Sequence, residues 1–403
     1  MARRARPVLL AGVLIVAIVL GVAVFASAWR PAAPLAVRHV TESVAPVEPV
    51  TPSEVIDPPT IDLDADIGSI VVVSERATEI SPELRSLLVD GQVGGVLLFT
   101  RNFDGPAGLR AWADQLQAIA QQECMPHPIL LMIDQEGGRV DRVTGAYAGP
   151  SQASAAAGGP AGVRAVETKT GAGLRSLGVG LDLAPVADVR YNPRDDVIGD
   201  RSFGSNPATV AQLVSAAVAG LHDGGVGATL KHFPGLGGAA GDPHVAIPTD
   251  PESEAQWEQI QAPPFRAGIE AGADVVMTTA MYVPGLGGGS TPAMFSATVV
   301  SLLRTKLGFN GVILSDALDM GGITALYSLP EATVLALGAG NDLVLLGRGD
   351  PSAEVGAMSA IRDAVSARRL DPIALHESAK RVNALRDKWG PRLAKCRHPR
   401  GLI

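Results

Sequence analysis

Short runs of apolar, often β-branched residues alternate with longer Ala- and Leu-rich stretches along most of the chain. Eight short runs follow residue 61, and they are IVVV at Ile70, GVLLF at Gly95, ILLMI at Ile129, LDLAP at Leu181, GATLK at Gly227, DVVMT at Asp274, GVILS at Gly311 and DLVLL at Asp342. Each interval has room for one helix, such as residues 108–122 or 331–340. The pattern predicts eight βα units and hence an α/β (β/α)8 TIM barrel, with an open doubly wound sheet as the alternative.

The first 60 residues have a different pattern. Three arginines within the first six residues precede an uncharged, mostly apolar run over residues 7–29, which is the order found in an export signal. The run is long enough to span a bilayer, so it could be either a cleaved signal peptide or a retained signal anchor. A helix buried in the core is the third alternative. Seven prolines from Pro31 to Pro59 predict an extended tether.

These patterns predict an organisation for the whole chain. We expect an export segment over residues 1–30, a tether over 31–60, one barrel domain over 61–396 and a tail over 397–403. The protein is then exported, and is either secreted or held at a membrane through its N-terminal segment alone. Cys124 and Cys396 could form a disulfide outside the cytoplasm, or remain two separate thiols.

The amino-acid composition limits the kinds of molecule that the protein is expected to bind. The chain has 403 residues, of which 47% are hydrophobic, so it can bury a sizeable core. A formal net charge of −8 without a stripe of Lys and Arg argues against nucleic acid, because binding to phosphates needs clustered positive charge. No Walker loop and no Gly-x-Ser-x-Gly elbow is present, and we expect no cofactor. The sequence does not indicate an oligomeric state.

Charged residues follow several of the apolar runs directly. Asp134 follows the third run, and Asp316 follows the seventh. Lys231 and His232 end the fifth run, while Arg201 lies in the segment after the fourth. Because the carboxyl ends of barrel strands meet at one mouth, these side chains are expected to converge on a single pocket.

The stretch KHFPGLGGAAGDPH, residues 231–244, adds two histidines and an aspartate on a glycine-rich segment. A metal site could be drawn from His232, Asp242 and His244, but their spacing matches no common ligand pattern, so we expect no metal. Retaining glycoside hydrolysis fits the residue types better, since it needs a nucleophile and an acid/base on opposite faces of a sugar. Asp316 on a rigid strand suits the nucleophile. His244 suits the acid/base, with Asp242 orienting its ring.

From about Ile61 to Leu346 the chain resembles glycoside hydrolase family 3, specifically its single-domain β-N-acetylglucosaminidases acting on peptidoglycan fragments. The motifs that carry the resemblance are VGGVLLFTRN, DQEGGRV, APVADV, VIGDRSFG, KHFPG, the Asp-x-His pair and GFNGVILSDAL. The resemblance implies a β-N-acetylhexosaminidase that removes terminal non-reducing N-acetylglucosamine with retention. It implies that Asp316 is the nucleophile, that His244 is a loop-borne acid/base, and that Asp242 is the partner of this histidine.

The resemblance also implies a set of sugar-binding residues, which are Asp134, Arg201, Lys231 and His232. Asp134 or Arg201 could instead form a structural ion pair. Residues 235–241 are expected to be a flexible arm that brings His244 over the bound sugar.

Three residues depart from the family pattern. Leu236 replaces a histidine in KHFPGHG, and Ala280 stands where MTAHV has its histidine. Pro243 fixes its own φ and restricts Asp242, so the reach of His244 would differ. The physiological glycan stays open, as do three alternatives: another family 3 glycosidase such as a β-glucosidase, a phosphorylase, and a catalytically weakened protein that binds wall glycans. The β-glucosidases commonly take their acid/base from a second domain, for which the residues after the eighth run are too few.

Overall fold

The computed structural model describes residues 61–193 and 197–395. The expectations for residues 1–30, 31–60 and 397–403, and the pairing that involves Cys396, fall outside these residues. Over the described ranges, no helix combines the length and the apolar character needed to cross a membrane.

Eight parallel strands form a closed barrel, and a small antiparallel hairpin follows its third strand. The strands are β1 Val71–Val73, β2 Gly95–Leu98, β3 Leu130–Ile133, β4 Gln135–Gly137, β5 Val140–Asp141, β6 Leu181–Asp182, β7 Gly227–Phe233, β8 Val275–Thr278, β9 Val312–Ala317 and β10 Leu343–Leu346. Around the barrel the order is β1, β2, β3, β6, β7, β8, β9, β10, while β4 pairs with β5. β10 pairs back onto β1, with Val344 opposite Val71. The eight predicted strands and the (β/α)8 barrel are therefore confirmed, and the open sheet is excluded.

Helices surround the barrel. They are α1 Leu63–Ser69, α2 Pro82–Val89, α3 Gly105–Gln122, α4 Gln152–Ala155, α5 Gly159–Ser176, α6 Pro207–Gly224, α7 Glu254–Gln259, α8 Ala262–Glu270, α9 Ala297–Thr305, α10 Gly321–Thr324, α11 Leu329–Gly338, α12 Pro351–Ser366 and α13 Pro372–Trp389. Local sequence sets their starts: the Asn206 side chain accepts the amide of Thr209, and Pro207 occupies the first turn of α6. Ser81 caps α2 in the same way, followed by Pro82.

The strand sequences are continuous apolar runs because the side chains on both faces of each strand are buried. β1, β2, β3, β8 and β10 are buried at every position. β9 differs, since it is buried only over its first four residues and becomes half-buried at Asp316 and Ala317. An apolar strand that ends in a half-buried carboxylate places that carboxylate at the mouth of the barrel.

Candidate active site

A cavity of about 470 Å³ lies where the strands end. Six of the predicted site residues line it, and they are Asp134, Arg201, Lys231, His232, His244 and Asp316. The seventh, Asp242, contacts the cavity through its hydrogen bond to His244. The barrel thus brings together residues from four separate parts of the sequence.

Lys231 occupies the centre of a buried network of charges. Its Nζ lies 2.7 Å from Asp134 Oδ1 and 2.6 Å from Glu136 Oε1, and its side chain is only 2% exposed. Arg201 binds the same Glu136 with two atoms, Nε at 2.7 Å from Oε2 and Nη2 at 2.8 Å from Oε1. A planar guanidinium matched to a carboxylate in this way fixes both groups.

The network stabilises the charged forms of Glu136 and Lys231. Burial alone would raise the pKa of Glu136, but the positive charges of Lys231 and Arg201 outweigh it and hold that pKa well below its ordinary range. Burial likewise opposes the charge on Lys231, yet Asp134 and Glu136 raise its pKa above the usual value. The pocket floor therefore presents fixed charged donors and acceptors that can bind sugar hydroxyls without reorganising.

His232 is held in one tautomer. Its Nδ1 lies 2.7 Å from Asp188 Oδ2, and its Nε2 lies 3.1 Å from Nη2 of Arg201. Because a guanidinium can only donate, we assign Nε2 as the acceptor and Nδ1–H as the donor to Asp188. Asp188 is fully buried, and its other oxygen accepts the backbone amides of His232 and Leu236.

Asp316, at the end of β9, is oriented by two donors. The Thr279 hydroxyl donates to Oδ2 at 2.9 Å, and the backbone N–H of Ala317 donates to Oδ1 at 2.8 Å. Thr279 follows β8, the neighbouring strand, so barrel pairing sets this contact. A carboxylate with a fixed orientation at the mouth has the geometry that a nucleophile needs.

The predicted Asp-x-His pair is formed. His244 Nδ1 lies 2.8 Å from Asp242 Oδ1, and the same oxygen accepts the His244 backbone N–H at 2.8 Å. Burial raises the pKa of Asp242, but these two hydrogen bonds and the charge of His244 outweigh it and leave the pKa lowered. The imidazole is 70% exposed, so its Nε2 can exchange a proton with a ligand or with water.

Residues 235–241 were predicted to form a flexible arm, but the first part of this segment is packed against the rest of the barrel. Gly235, Leu236, Gly237 and Ala239 are buried. A Cβ on Gly237 would lie 2.2 Å from the Val189 carbonyl oxygen, so glycine is required for this close approach. Residues 235–239 are therefore packed into the barrel mouth, and only Ala240 and Gly241 are exposed before the Asp-x-His pair.

The three departures from the family pattern leave the predicted catalytic pair in the cavity. Leu236 is 2% exposed and lines the cavity wall, and Ala280 is fully buried. The Pro243 carbonyl accepts the Gly322 N–H at 3.2 Å, which ties the loop to the segment after β9. His244 and Asp316 both line the cavity in this arrangement.

The metal site considered for His232, Asp242 and His244 has no counterpart among residues 61–193 and 197–395. No group of three His, Cys, Asp or Glu side chains in these ranges could hold a metal ion. The two histidines have separate carboxylate partners, Asp188 and Asp242.

Sequence reasoning missed three residues of the site: Glu136, Asp188 and Thr279. Glu136 binds both Lys231 and Arg201, although it lies inside the quoted motif DQEGGRV. The local sequence around Glu136 shows no partner for this carboxylate, because both of its cations lie far along the chain. The ion pair proposed as the alternative role of Arg201 is present, and its partner is this Glu136.

We compared the chain with known protein families and with individual relatives. The family described as Glycosyl hydrolase family 3 N terminal domain matches residues 62–385. Beta-hexosaminidase A of Pseudoalteromonas piscicida is 32% identical over an aligned length of 334 residues, and the match covers 77% of this chain and 56% of that protein. A Beta-hexosaminidase of Xanthomonas oryzae pv. oryzae (strain KACC10331 / KXO85) is 35% identical over an aligned length of 315 residues, and the match covers 76% of this chain and 90% of the relative.

A solved structure gives the same result. A glycoside hydrolase family 3 beta-N-acetylglucosaminidase from Paenibacillus sp. str. FPU-7 matches with a TM-score of 0.79 at 33% identity. The match covers 85% of this chain and 66% of that one. The chain therefore belongs to glycoside hydrolase family 3, a family of enzymes that cleave glycosidic bonds, and the resemblance in its motifs is confirmed. It spans little more than half of the Pseudoalteromonas relative.

Proposed function

We propose that this chain is a retaining β-N-acetylhexosaminidase that hydrolyses terminal non-reducing N-acetylglucosamine. The observation that carries the proposal is that Asp316 and His244, the latter hydrogen-bonded to Asp242, line one cavity above the Lys231 network. The relatives named beta-hexosaminidase and the beta-N-acetylglucosaminidase structure support the choice of sugar. Asp134, Arg201, Lys231 and His232 bind the sugar hydroxyls in this proposal.

The first chemical step forms a glycosyl-enzyme. The Asp316 carboxylate attacks the anomeric carbon while the bond to the glycosidic oxygen breaks, and protonated His244 gives its proton to that oxygen. Asp242 stabilises the imidazolium before transfer, through its hydrogen bond to Nδ1. The hydrogen bonds from Thr279 and Ala317 keep the nucleophile oriented during the attack.

The second step returns the enzyme to its starting state. Neutral His244 takes a proton from water, whose oxygen attacks the anomeric carbon as the bond to Asp316 breaks. The product keeps the β configuration because each step inverts the anomeric carbon once. The exposure of the imidazole supports this water-dependent step.

We infer further that the glycan comes from the cell wall and that the enzyme works outside the cytoplasm. The support lies in the sequence: three arginines and an apolar run over residues 7–29 precede a proline-rich segment. Fractionation of cells that express the full chain, followed by N-terminal sequencing, tests export and decides between cleavage and anchoring.

The activity is tested with two aryl glycosides and the full chain. We expect chromophore release from an aryl N-acetyl-β-glucosaminide and little from the matching β-glucoside. Asp316→Ala should lose at least about 10³-fold in kcat, because the covalent step has no other nucleophile. His244→Ala should slow an alkyl glycoside more than an activated aryl glycoside, since a poor leaving group depends more on protonation.

Two results would reject this function. One is equal, negligible turnover by the unmodified chain and Asp316→Ala while sugar binding persists, which is the behaviour of a wall-binding protein. The other is faster cleavage of the β-glucoside than of the N-acetyl-β-glucosaminide. Adding inorganic phosphate and looking for a sugar 1-phosphate distinguishes hydrolysis from phosphorolysis.

A further inference from the structure

Two consecutive residues contact both ends of the segment that carries His244. We name residues 240–249, which contain Asp242 and His244, the acid/base loop. Tyr191 and Asn192, which we name the clamp, lie in the segment after β6, the strand next to β7 in the barrel. The clamp binds the chain directly before the acid/base loop and directly after it.

Asn192 binds the chain before the acid/base loop. Its backbone N–H donates to the Gly237 carbonyl at 3.2 Å. Its side-chain Nδ2 donates to the carbonyls of Gly238 and Ala239, at 3.1 and 3.3 Å. Since a carbonyl can only accept, we assign the side-chain nitrogen, rather than the oxygen, to face these groups. One asparagine therefore binds three consecutive carbonyls at the point where the loop begins.

Tyr191 binds the chain after the acid/base loop. Its hydroxyl lies 3.4 Å from Oδ1 and 3.3 Å from Oδ2 of Asp250, which is buried. Burial and then the charges of Asp250 and Glu252 raise the pKa of Tyr191, so the phenol stays protonated and can donate. A Cβ on Gly238 would lie 2.1 Å from both Asp250 Oδ2 and the Tyr191 hydroxyl oxygen. The two ends of the loop therefore meet at the clamp.

The clamp is itself fixed to the barrel. The N–H of Val189 donates to Gln261 Oε1 at 2.9 Å, and Gln261 Nε2 donates back to the Val189 carbonyl at 3.1 Å. Gln261 is fully buried and directly precedes α8. The N–H of Arg190 donates to the Gly204 carbonyl at 3.0 Å. The clamp is therefore a firm support, which is what a precisely placed catalytic group requires.

The imidazole of His244 depends on its loop for its position. Within the described ranges its hydrogen-bond partner is Asp242, which belongs to the same loop, and most of the ring is exposed. The Gly322 N–H supports the loop at the Pro243 carbonyl. Packing does not fix the ring directly, so the place of its Nε2 relative to a bound sugar is set by the contacts that anchor the loop.

We propose that Tyr191 and Asn192 are positioning residues for His244, because they hold both ends of the loop that brings its imidazole to the glycosidic oxygen. The inference rests on the proposed function and adds to it two residues that do not line the cavity. The clamp should affect proton transfer strongly, since a misplacement of about 1 Å in a catalytic group is costly. It should affect the attack by Asp316 little, because that carboxylate is oriented by other contacts.

The test separates proton transfer from nucleophilic attack through the leaving group. kcat/KM is measured with the full chain for an alkyl and for a dinitrophenyl N-acetyl-β-glucosaminide, because this constant reports the first chemical step. Asn192→Ala should lower it at least about tenfold for the alkyl glycoside and less than about twofold for the dinitrophenyl glycoside, which needs little protonation. Tyr191→Phe should show the same selectivity with a smaller loss, since its hydrogen bonds are longer.

Two further variants show whether the effect passes through His244. In a chain that already carries His244→Ala, Asn192→Ala should lower kcat/KM for the alkyl glycoside no further, because the group that it positions is gone. Asn192→Asp keeps the shape of the side chain but removes its donors, so it should lose as much activity as Asn192→Ala. Asn310→Ala is the matched control: Asn310 is exposed before β9, donates to the Gly308 carbonyl, and should leave both glycosides unaffected.

Equal losses for the two glycosides would overturn the inference, as would a full additional loss in the His244→Ala chain or full activity of Asn192→Asp. Amide hydrogen exchange over residues 240–249 gives a readout without turnover. Asn192→Ala should accelerate this exchange relative to the parent and to Asn310→Ala, and unchanged exchange would also overturn the assignment. If the exchange result holds but the parent chain cleaves neither glycoside, the proposed function fails and the clamp stands.

Discussion

Thr279 orients the proposed nucleophile, Asp316, through a hydrogen bond. Its hydroxyl donates to Asp316 Oδ2 at 2.9 Å, and Thr279 directly follows β8, the strand next to β9. We predict that Thr279→Val lowers kcat about tenfold, since one hydrogen bond to a charged group is lost, while KM changes little. Steady-state kinetics with an aryl N-acetyl-β-glucosaminide measure both constants.

Thr279→Ser separates hydrogen bonding from packing, because serine keeps the hydroxyl and loses a methyl group. The serine variant should retain most of the activity. If serine and valine reduce kcat equally, the hydroxyl does not position Asp316 and the residue acts only through the fit of its side chain.

For the individual site residues, sequence reasoning reaches as far as their position. The convergence of Asp316, Lys231 and His232 on one cavity could be predicted, because each lies at or directly after the end of an apolar run and a closed barrel brings those ends together. Glu136 and Asp188 could not be, because their partners lie 65 and 44 residues away in the sequence. A carboxylate inside a motif has no visible role until the fold supplies the cation or imidazole that it binds.

At the scale of elements, the segment that leads to His244 depends on its glycines. A Cβ on Gly237 would lie 2.2 Å from the Val189 carbonyl oxygen and 2.6 Å from its carbonyl carbon, both backbone atoms. We predict that Gly237→Ala displaces the loop and lowers kcat/KM at least about tenfold, because small misplacements of a catalytic group are costly. Gly162→Ala is the control, since a Cβ there meets no atom within 4 Å, and it should leave kcat/KM unchanged.

The same segment marks the limit of pattern-based prediction for elements. Strands and helices follow from local periodicity, and all eight predicted strands are present. Gly235 to Gly241 looked like a flexible arm because composition alone cannot show close packing. The contacts that hold it come from elsewhere in the chain, with the Asn192 side chain donating to the Gly238 carbonyl and Val189 packing on Gly237.

At the scale of the whole molecule, three glutamates on separate elements are buried away from cations. Burial raises the pKa of Glu167 on α5 to about 8. For Glu354 on α12, burial and then the charge of Glu75 raise the pKa to about 8. For Glu252, before α7, burial and then Asp250 raise it to about 7. Each group is therefore largely protonated in the folded barrel at pH values where an unfolded chain is ionised.

The sign of the resulting pH dependence follows from proton release. Between the ordinary pKa of 4.5 and the folded value of about 8, native Glu167 keeps a proton that the unfolded chain gives up. Unfolding then releases protons, so rising pH favours it and the free energy of unfolding falls across this window. The barrel should be most stable near the acidic end of the window and lose stability as the pH approaches 8.

Glu167→Gln isolates one of these groups, because the amide is similar in shape and neutral at every pH. Between pH 5 and pH 8 the free energy of unfolding should fall in both chains, and we predict that it falls by roughly 3 kcal/mol less in the variant than in the parent. Urea unfolding of the full chain across this range measures the difference. The exposed Glu79→Gln should follow the parent curve, and identical slopes for Glu167→Gln and the parent would mean that Glu167 is ionised in the folded barrel. In that case the barrel would have to provide a compensating donor to this carboxylate, as it does for Glu136 with Lys231 and Arg201.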